Sequence, residues 1–181
     1  MGNLHDFEEE KLIIGVIYND KEVFSSVMNI LIDKFGEIDG ECEEFSFSRE
    51  FSDYYDCELG GEGIRKIYSF KRTVDASLQA DIKTYTNSIE ARFSEDGKRR
   101  INLDPGFMNH GRLMLATTKP QGFRIPLHSG IYTELTLYWA RGEWHKLPWT
   151  YRDYQSKRVQ DFLTKTRECY LKERKEKLKQ K

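Results

Sequence analysis

Cysteine is scarce in this chain: Cys42, Cys57 and Cys169 are an odd number with no C-x-x-C spacing. That disfavours a disulfide framework or a zinc site, and a reduced, cytoplasmic chain is expected. No run of about 18 apolar residues occurs, so no membrane-spanning helix is expected. The opening MGNLHDFEEEK is acidic where a secretory leader would be basic. After Met-Gly, Asp6 stands where a myristoylation signal wants Ser or Thr, so that motif fails too.

Signatures of chemistry are missing as well. His110, His128 and His145 show neither H-x-x-x-H nor H-E-x-x-H spacing, and no D-x-D-x-D-G loop is present. No dedicated zinc site is therefore expected and no metal ligands are assigned, while a carboxylate-rich magnesium or calcium site within residues 37–62 stays open. There is no G-x-x-x-x-G-K-[ST], since GGEGIRK has glycines at the wrong spacing and a hydrophobic run directly after it. No G-x-G-x-x-G opens a helix, no G-x-S-x-G elbow occurs, and Cys57 has no evident His partner. The net charge of −1 offers no global attraction to nucleic acid or membrane. Basic residues are not interleaved with aromatics as in RNA-recognition strands, so neither kind of partner is expected.

What is present is globular. The 13% aromatic share argues against disorder, and 181 residues suffice for one full core. We expect a single domain over 1–181, with an acidic segment 1–10 and a basic helix end 173–181 that fray. Charge is unevenly spread: residues 37–62 hold ten acidic side chains against Arg49 alone, while the final KERKEKLKQK carries six positive and two negative charges. Either these are solvated surfaces or they meet a partner of opposite charge, a second copy of the chain included.

Hydrophobic periodicity orders the elements. Lys11–Tyr18 is apolar and β-rich and reads as a buried strand. Asp20 can cap a helix whose stripe is Val23, Val27, Met28, Leu31 and Phe35, ended by Gly36. Strands follow at Glu43–Ser48 and Ile64–Phe70. A second helix begins at Asp75 with the stripe Leu78, Ile82, Tyr85, Ile89 and Phe93, and Arg100–Asp104 is a fourth strand. The order βαββαβ is that of a ferredoxin-like core. An antiparallel meander extends it, and a last helix spans about Asp153–Lys172 with an inward stripe of Val159, Phe162, Leu163, Thr166, Cys169 and Tyr170. The class is α+β.

The meander lies within Arg99–Trp149. A turn at His128-Ser129-Gly130 sets Leu127 opposite Ile131, Ile125 opposite Thr133, Phe123 opposite Leu135, Arg124 opposite Glu134 and Pro126 opposite Tyr132. Arg141-Gly142 sets Trp139 opposite Trp144 and Tyr138 opposite His145. Pairing Leu115 with Ile125 lays Ala116 beside Arg124, and pairing Leu103 with Leu113 lays Asp104 beside Arg112. Asp104-Pro105-Gly106 reads as a type II turn. One face then gathers Asn102, Asp104, Arg112, Arg124, Tyr132, Glu134, Tyr138 and His145, with His128 at a turn and Lys119 at the rim. It is either the wet side of a half-buried sheet, each charged pair contributing roughly 0.2–1 kcal/mol, or a floor that orients a charged or planar ligand. A second constellation is Tyr54, Tyr55 and Glu58, where adjacent tyrosines on an extended segment would point opposite ways.

Several of these residues form a wider pattern: Tyr54-Tyr55 with Glu58 and Gly60, Thr86-Asn87 with Glu90, then NLDPG, ATTK, GIYTE and WTYRDY in that order. Together they resemble a bacterial family of unknown function, domain of unknown function family 4416, over nearly the whole chain. The chain departs from the family's pattern at Phe123, where a His often precedes the Arg, and at Leu59, where a Met is usual. A histidine-based site would then have to use His128 or His145. The resemblance implies a single-domain cytosolic bacterial protein, and some members carry a GTP-binding label, here without a phosphate loop.

Two functions follow. One is a binder or enzyme for a small anionic or nucleotide-like ligand on the polar sheet face: Arg124 and Lys119 meet the anion, Glu134 or Asp104 acts as acid or base, and Tyr132 orients. The other is a non-catalytic interaction module using the acidic 37–62 surface or the basic terminal helix. No cofactor is indicated by either.

Overall fold

The computed structural model describes residues 2–179. The chain runs β1 (Glu9–Tyr18), α1 (Lys21–Phe35), β2 (Ile38–Glu41), β3 (Phe45–Ser46), α2 (Phe47–Glu50), α3 (Asp56–Leu59), β4 (Ile64–Asp75), α4 (Gln79–Arg92) and β5 (Ile101–Met108). It continues through β6 (Arg112–Thr117), β7 (Ile125–Pro126), β8 (Tyr132–Ala140), β9 (Glu143–Lys146) and α5 (Lys157–Lys179). The class is α+β. The strands form a single antiparallel sheet in the order β2-β4-β1-β5-β6-β8-β7, with β3 also on β4 and β9 also on β8.

β1 is central because its residues are apolar on both sides, as a strand covered on both faces requires. Leu12, Ile14 and Val16 face α1 and α4, while Ile13 faces α5. The α1 stripe is the expected one. Val23, Val27, Met28, Leu31 and Phe35 are all buried, and Asp20 accepts from the backbone N–H of Glu22 at 2.8 Å and of Val23 at 3.0 Å. In α4 the stripe is narrower: Leu78 falls in the preceding 3-10 turn and is exposed, while polar Lys83, Thr86 and Glu90 are buried beside Ile82 and Ile89. α5 seats Val159, Phe162, Leu163, Thr166 and Tyr170, whereas Cys169 points out. The helix runs on through the 173–179 segment, where Glu173 pairs with Lys11, Arg174 with Glu8 and Lys177 with Glu9. Residues 180 and 181, also within the segment expected to fray, lie outside the described residues.

Several expectations are corrected. The strand expected at 43–48 shortens to Phe45–Ser46, because Ser46 caps the short α2 that takes up Phe47 and Ser48, and Ile38–Glu41 is a further strand that was not expected. Asp104-Pro105-Gly106 is not a turn, because β5 runs straight through it to Met108. Pro105 sits just before pairing with β6 begins at Gly106, where β5 has a neighbour on one side only and proline costs no ladder bond there. A Cβ on Gly106 would lie 2.6 Å from the Met114 carbonyl oxygen, so this glycine serves close backbone approach.

β6 pairs with β8, not β7, which sets Leu115 opposite Glu134. The chain from Thr118 to Arg124 arches over the sheet end, and β7 returns as an edge strand, a place that tolerates Pro126. The Leu127–Ile131, Ile125–Thr133, Pro126–Tyr132, Trp139–Trp144 and Tyr138–His145 pairings stand. The Leu115–Ile125 and Leu103–Leu113 pairings do not. Arg112 reaches Glu10 at 2.7 Å instead of Asp104.

Candidate functional site

The face expected to be polar is divided. α5 covers the part built from Ile13, Ile67, Met108, Leu113 and Leu137. Beyond the start of α5 the same face carries Arg65, Asn102, Asp104 and Glu134 as the floor of a cavity of about 330 Å³. Its walls are the aromatic segment 47–55, the 117–119 loop after β6, and residues 151–154 ahead of α5.

The floor is organised by Arg65. It leaves β4 opposite Ile17 and crosses β1 at Gly15, which pairs with Asp104 on β5. A Cβ on Gly15 would lie 2.5 Å from Arg65 Nη2, so glycine is what lets the guanidinium pass. Nη1 donates to Asp104 Oδ2 at 2.8 Å and Nη2 to the Tyr154 hydroxyl at 3.3 Å, while Nε lies 3.3 Å from Asp153 Oδ2. The Arg65 side chain is only 2% exposed and that of Asp153 only 3%. One buried cation thus serves two carboxylates whose environments diverge. Burial pushes the Asp153 carboxyl above its ordinary range against the pull of Arg65. At Asp104 burial acts the same way, but Arg65 and Lys83 outweigh it and hold the carboxyl below its ordinary range.

Two further ion pairs flank the floor. Arg99 forms a bidentate pair with Glu58 at 2.6 and 2.8 Å and donates to Glu90 and Asn102, each at 3.1 Å. This fork holds Glu58 below its ordinary range. Glu90, buried on α4, accepts the Leu103 backbone N–H at 2.7 Å, and Lys83 donates to the Leu103 carbonyl at 2.7 Å. On the other side Arg124 Nε donates to Glu134 Oε2 at 2.7 Å, Nη2 to the Tyr151 hydroxyl at 2.8 Å and Nη1 to the Lys119 carbonyl at 2.6 Å. The Glu134 side chain is 1% exposed, and burial raises its carboxyl despite Arg124. Burial likewise pushes the Tyr151 hydroxyl up to about 12, keeping it a neutral donor and acceptor.

The aromatic wall is built by ring contacts: Phe45 and Phe47 each meet Phe51, at 5.6 and 6.1 Å, and Phe47 meets Tyr55 at 5.9 Å. Tyr54 and Tyr55 lie on a turn, not on an extended segment. They meet edge to face at 5.0 Å and both line the cavity. Lys119 sits 4.8 Å over the Tyr54 ring.

Of the residues singled out from sequence, Tyr54, Tyr55, Asn102, Asp104, Lys119 and Glu134 line this one cavity, and Arg124 and Glu58 brace its sides. His128 and Tyr132 do not line it. His128 is at the exposed turn, 3.8 Å from Asp81, and Tyr132 pairs with Pro126 at the sheet edge. His145 stacks on Tyr138 away from the cavity, and Phe123 stacks on Trp149 at 4.6 Å. The site offers no histidine. Residues not proposed for a site are Arg65, Lys83, Arg99, Asp153 and Tyr154, the last two having entered only within the WTYRDY motif. The glycine in the middle of KLIIGVIY was the available signal for Arg65, because a buried strand interior keeps Gly where something must approach closely.

Among the described residues no group of three or more His, Cys, Asp or Glu side chains is disposed to hold a metal ion, and no helix is long and apolar enough to cross a membrane. No curated protein and no solved structure matches the chain. A family model does match, over residues 8–170, and it spans β1 through most of α5, every wall of the cavity included. The chain therefore belongs to the family described as Domain of unknown function (DUF4416).

Proposed function

We propose that this protein is a single-domain, cytoplasmic bacterial protein that binds a small anionic, nucleotide-like ligand in the Arg65–Glu134 cavity. The observation that carries this reading is the mouth. Lys119 and Arg152 line it, and no ion pair to a carboxylate is formed by either among the described residues. Every cation on the floor and sides has a carboxylate or carbonyl partner. Two cations without an ion-pair partner, beside tyrosine and phenylalanine walls, suit an anion attached to a flat apolar body. We read the scaffold as a ferredoxin-like core. Supporting that are the β2-β4-β1-β5 order and the shared core beneath α1 and α4.

The interaction-module alternative has less in its favour. Glu37, Glu41, Glu50, Glu58 and Glu62 of the acidic stretch are each paired within the chain, and so are Arg174 and Lys177 of the terminal helix. Such pairs leave less net field to attract a partner.

Thermal shift and titration calorimetry with inorganic phosphate, pyrophosphate, ribose 5-phosphate and the common nucleoside monophosphates test the proposal. At least one anion should stabilise the wild type, by about 2.7 kcal/mol at a hundredfold excess over its Kd. Lys119→Ala with Arg152→Ala should weaken that binding roughly tenfold, about 1.4 kcal/mol. Absence of any anion-dependent stabilisation in the wild type defeats the reading.

A further inference from the structure

The floor and sides of the cavity have a polarity opposite to that of its mouth. Four cations there, Arg65, Lys83, Arg99 and Arg124, face five carboxylates, Asp104, Asp153, Glu58, Glu90 and Glu134. An anion pushed to the floor would find no surplus positive charge, only carboxylates already holding the available cations.

Three floor atoms make no well-aligned hydrogen bond among the described residues, Glu134 Oε1, Asn102 Nδ2 and Arg65 Nε, and of these Arg65 Nε still lies 3.3 Å from Asp153. Glu134 uses Oε2 to accept from Arg124, and its Oε1 is buried with no hydrogen bond from any described residue, on a side chain 1% exposed that lines the cavity. A buried carboxylate oxygen left unpaired is costly, so an acceptor held here calls for a donor. Asp104 adds to this. Arg65 occupies its Oδ2, yet the side chain remains 28% exposed toward the cavity it lines. Asn102 Nδ2, beside Asp104, makes no well-aligned hydrogen bond either, so the floor also offers a donor.

We infer that the ligand enters head first: a planar, N–H-bearing head group donates to Glu134 at the buried floor, and a phosphate tail remains at the mouth with Lys119 and Arg152. This rests on the proposed anion-binding reading and adds the head-group chemistry to it. The flat head lies along the Tyr54, Tyr55 and Tyr151 rings, which exclude water from the Glu134 contact. Lys119, over the Tyr54 ring, stands where the tail emerges.

Calorimetry on the full chain tests the orientation with three kinds of probe: ribose 5-phosphate with no head, purine riboside 5′-phosphate with a head lacking any N–H, and the common nucleoside monophosphates. The best N–H-bearing nucleotide should bind roughly tenfold to a hundredfold tighter than purine riboside 5′-phosphate, since the latter leaves the buried acceptor unpaired. Glu134→Gln keeps an oxygen for Arg124 but turns an amide donor toward the head. It should erase that preference, while ribose 5-phosphate on the wild type reports the mouth by itself. If N–H-bearing and N–H-lacking heads bind alike, or if the preference survives in a folded Glu134→Gln, the head-first orientation is wrong and the anion site at the mouth stands. If no phosphate binds at all, both fall. Should Glu134→Gln not fold, the wild-type comparison of heads decides by itself.

Discussion

Replacing Gly15 by alanine adds a single methyl group to a strand interior, and the structure assigns it an unusually large effect. In an ordinary strand this change removes some backbone entropy from the unfolded chain and is neutral or mildly stabilising. Here the new Cβ would sit 2.5 Å from Arg65 Nη2 and 2.8 Å from Cζ, well inside contact distance. A flexible surface arginine would swing away. Arg65 is 2% exposed and is held by Asp104, Asp153 and Tyr154, so moving it strips two carboxylates of their cation. Overpacking costs about 1–3 kcal/mol, and parting a buried ion pair costs about 3–5 kcal/mol. The two penalties are alternatives more than addends, so a loss of about 3–4 kcal/mol is expected. At about 2–4 °C per kcal/mol for a chain of this size, the melting temperature should fall by roughly 6–16 °C. Urea unfolding of Gly15→Ala, Arg65→Met and the double variant measures it. With the guanidinium gone, the alanine should cost less than about 1 kcal/mol, which makes the pair strongly non-additive. Additive effects, or a Gly15→Ala loss below about 0.5 kcal/mol, would refute the idea that Arg65 is pinned.

Two other perturbations probe the elements around the site. Asp20→Ala removes the side-chain cap of α1 and should cost about 0.5–2 kcal/mol by thermal unfolding. It also removes one of the two carboxylate partners of Arg100, leaving Glu95. The second is pH dependence, with opposite signs at two floor carboxylates. Asp104 is held below its ordinary value of 3.8, so its stabilising contribution is complete above that pH and is lost as the pH falls through the lowered value. Asp104→Asn should therefore be costly at neutral pH and nearly harmless in strong acid. Glu134 is raised above 4.5, so the folded state holds its proton more tightly than the unfolded chain, and stability drains away as the pH rises from 4.5 through the raised value. Glu134→Gln should improve relative to wild type over that same rise. Denaturant titrations across the acid range decide both, and same-signed trends for the two variants would contradict the assigned environments.

The elements most legible in the sequence were those whose burial follows a single period. The α1 stripe and its Asp20 cap could be read residue by residue, because one helix face against one sheet face leaves little choice. The hairpins at Ser129-Gly130 and Arg141-Gly142 were legible for the same reason, since a short turn fixes register locally. Non-local pairing was not. Whether β6 meets β7 or β8 depends on how the 118–124 arch is accommodated, and both choices keep apolar residues together. Pro126, in a strand of two residues, was the available clue to an edge. Asp104-Pro105-Gly106 misled because proline and glycine are turn residues by propensity. Here one tolerates a strand with a single neighbour, and the other lets backbones approach.

The same distinction explains why half the site was visible and half was not. Arg124 stands one residue before β7 and meets Glu134 of β8 across one tight turn, so the register of that hairpin, carried one residue further, reveals the pair. Arg65, Asp104 and Asp153 come from β4, β5 and the turn before α5. They meet only because β1 carries a residue with no side chain between the first two. A charge cluster that spans an intervening strand has no periodicity of its own. Its trace in the sequence is negative, one missing side chain in an otherwise continuous run of large apolar residues. That an apolar strand gives up packing at its centre to pass a buried arginine is itself a reason to seek function there. Stability alone is served as well by a hydrophobic residue in the place of a buried ion pair. The carboxylate that Arg65 reaches across β1, Asp104, is also the one whose side chain stays open to the cavity.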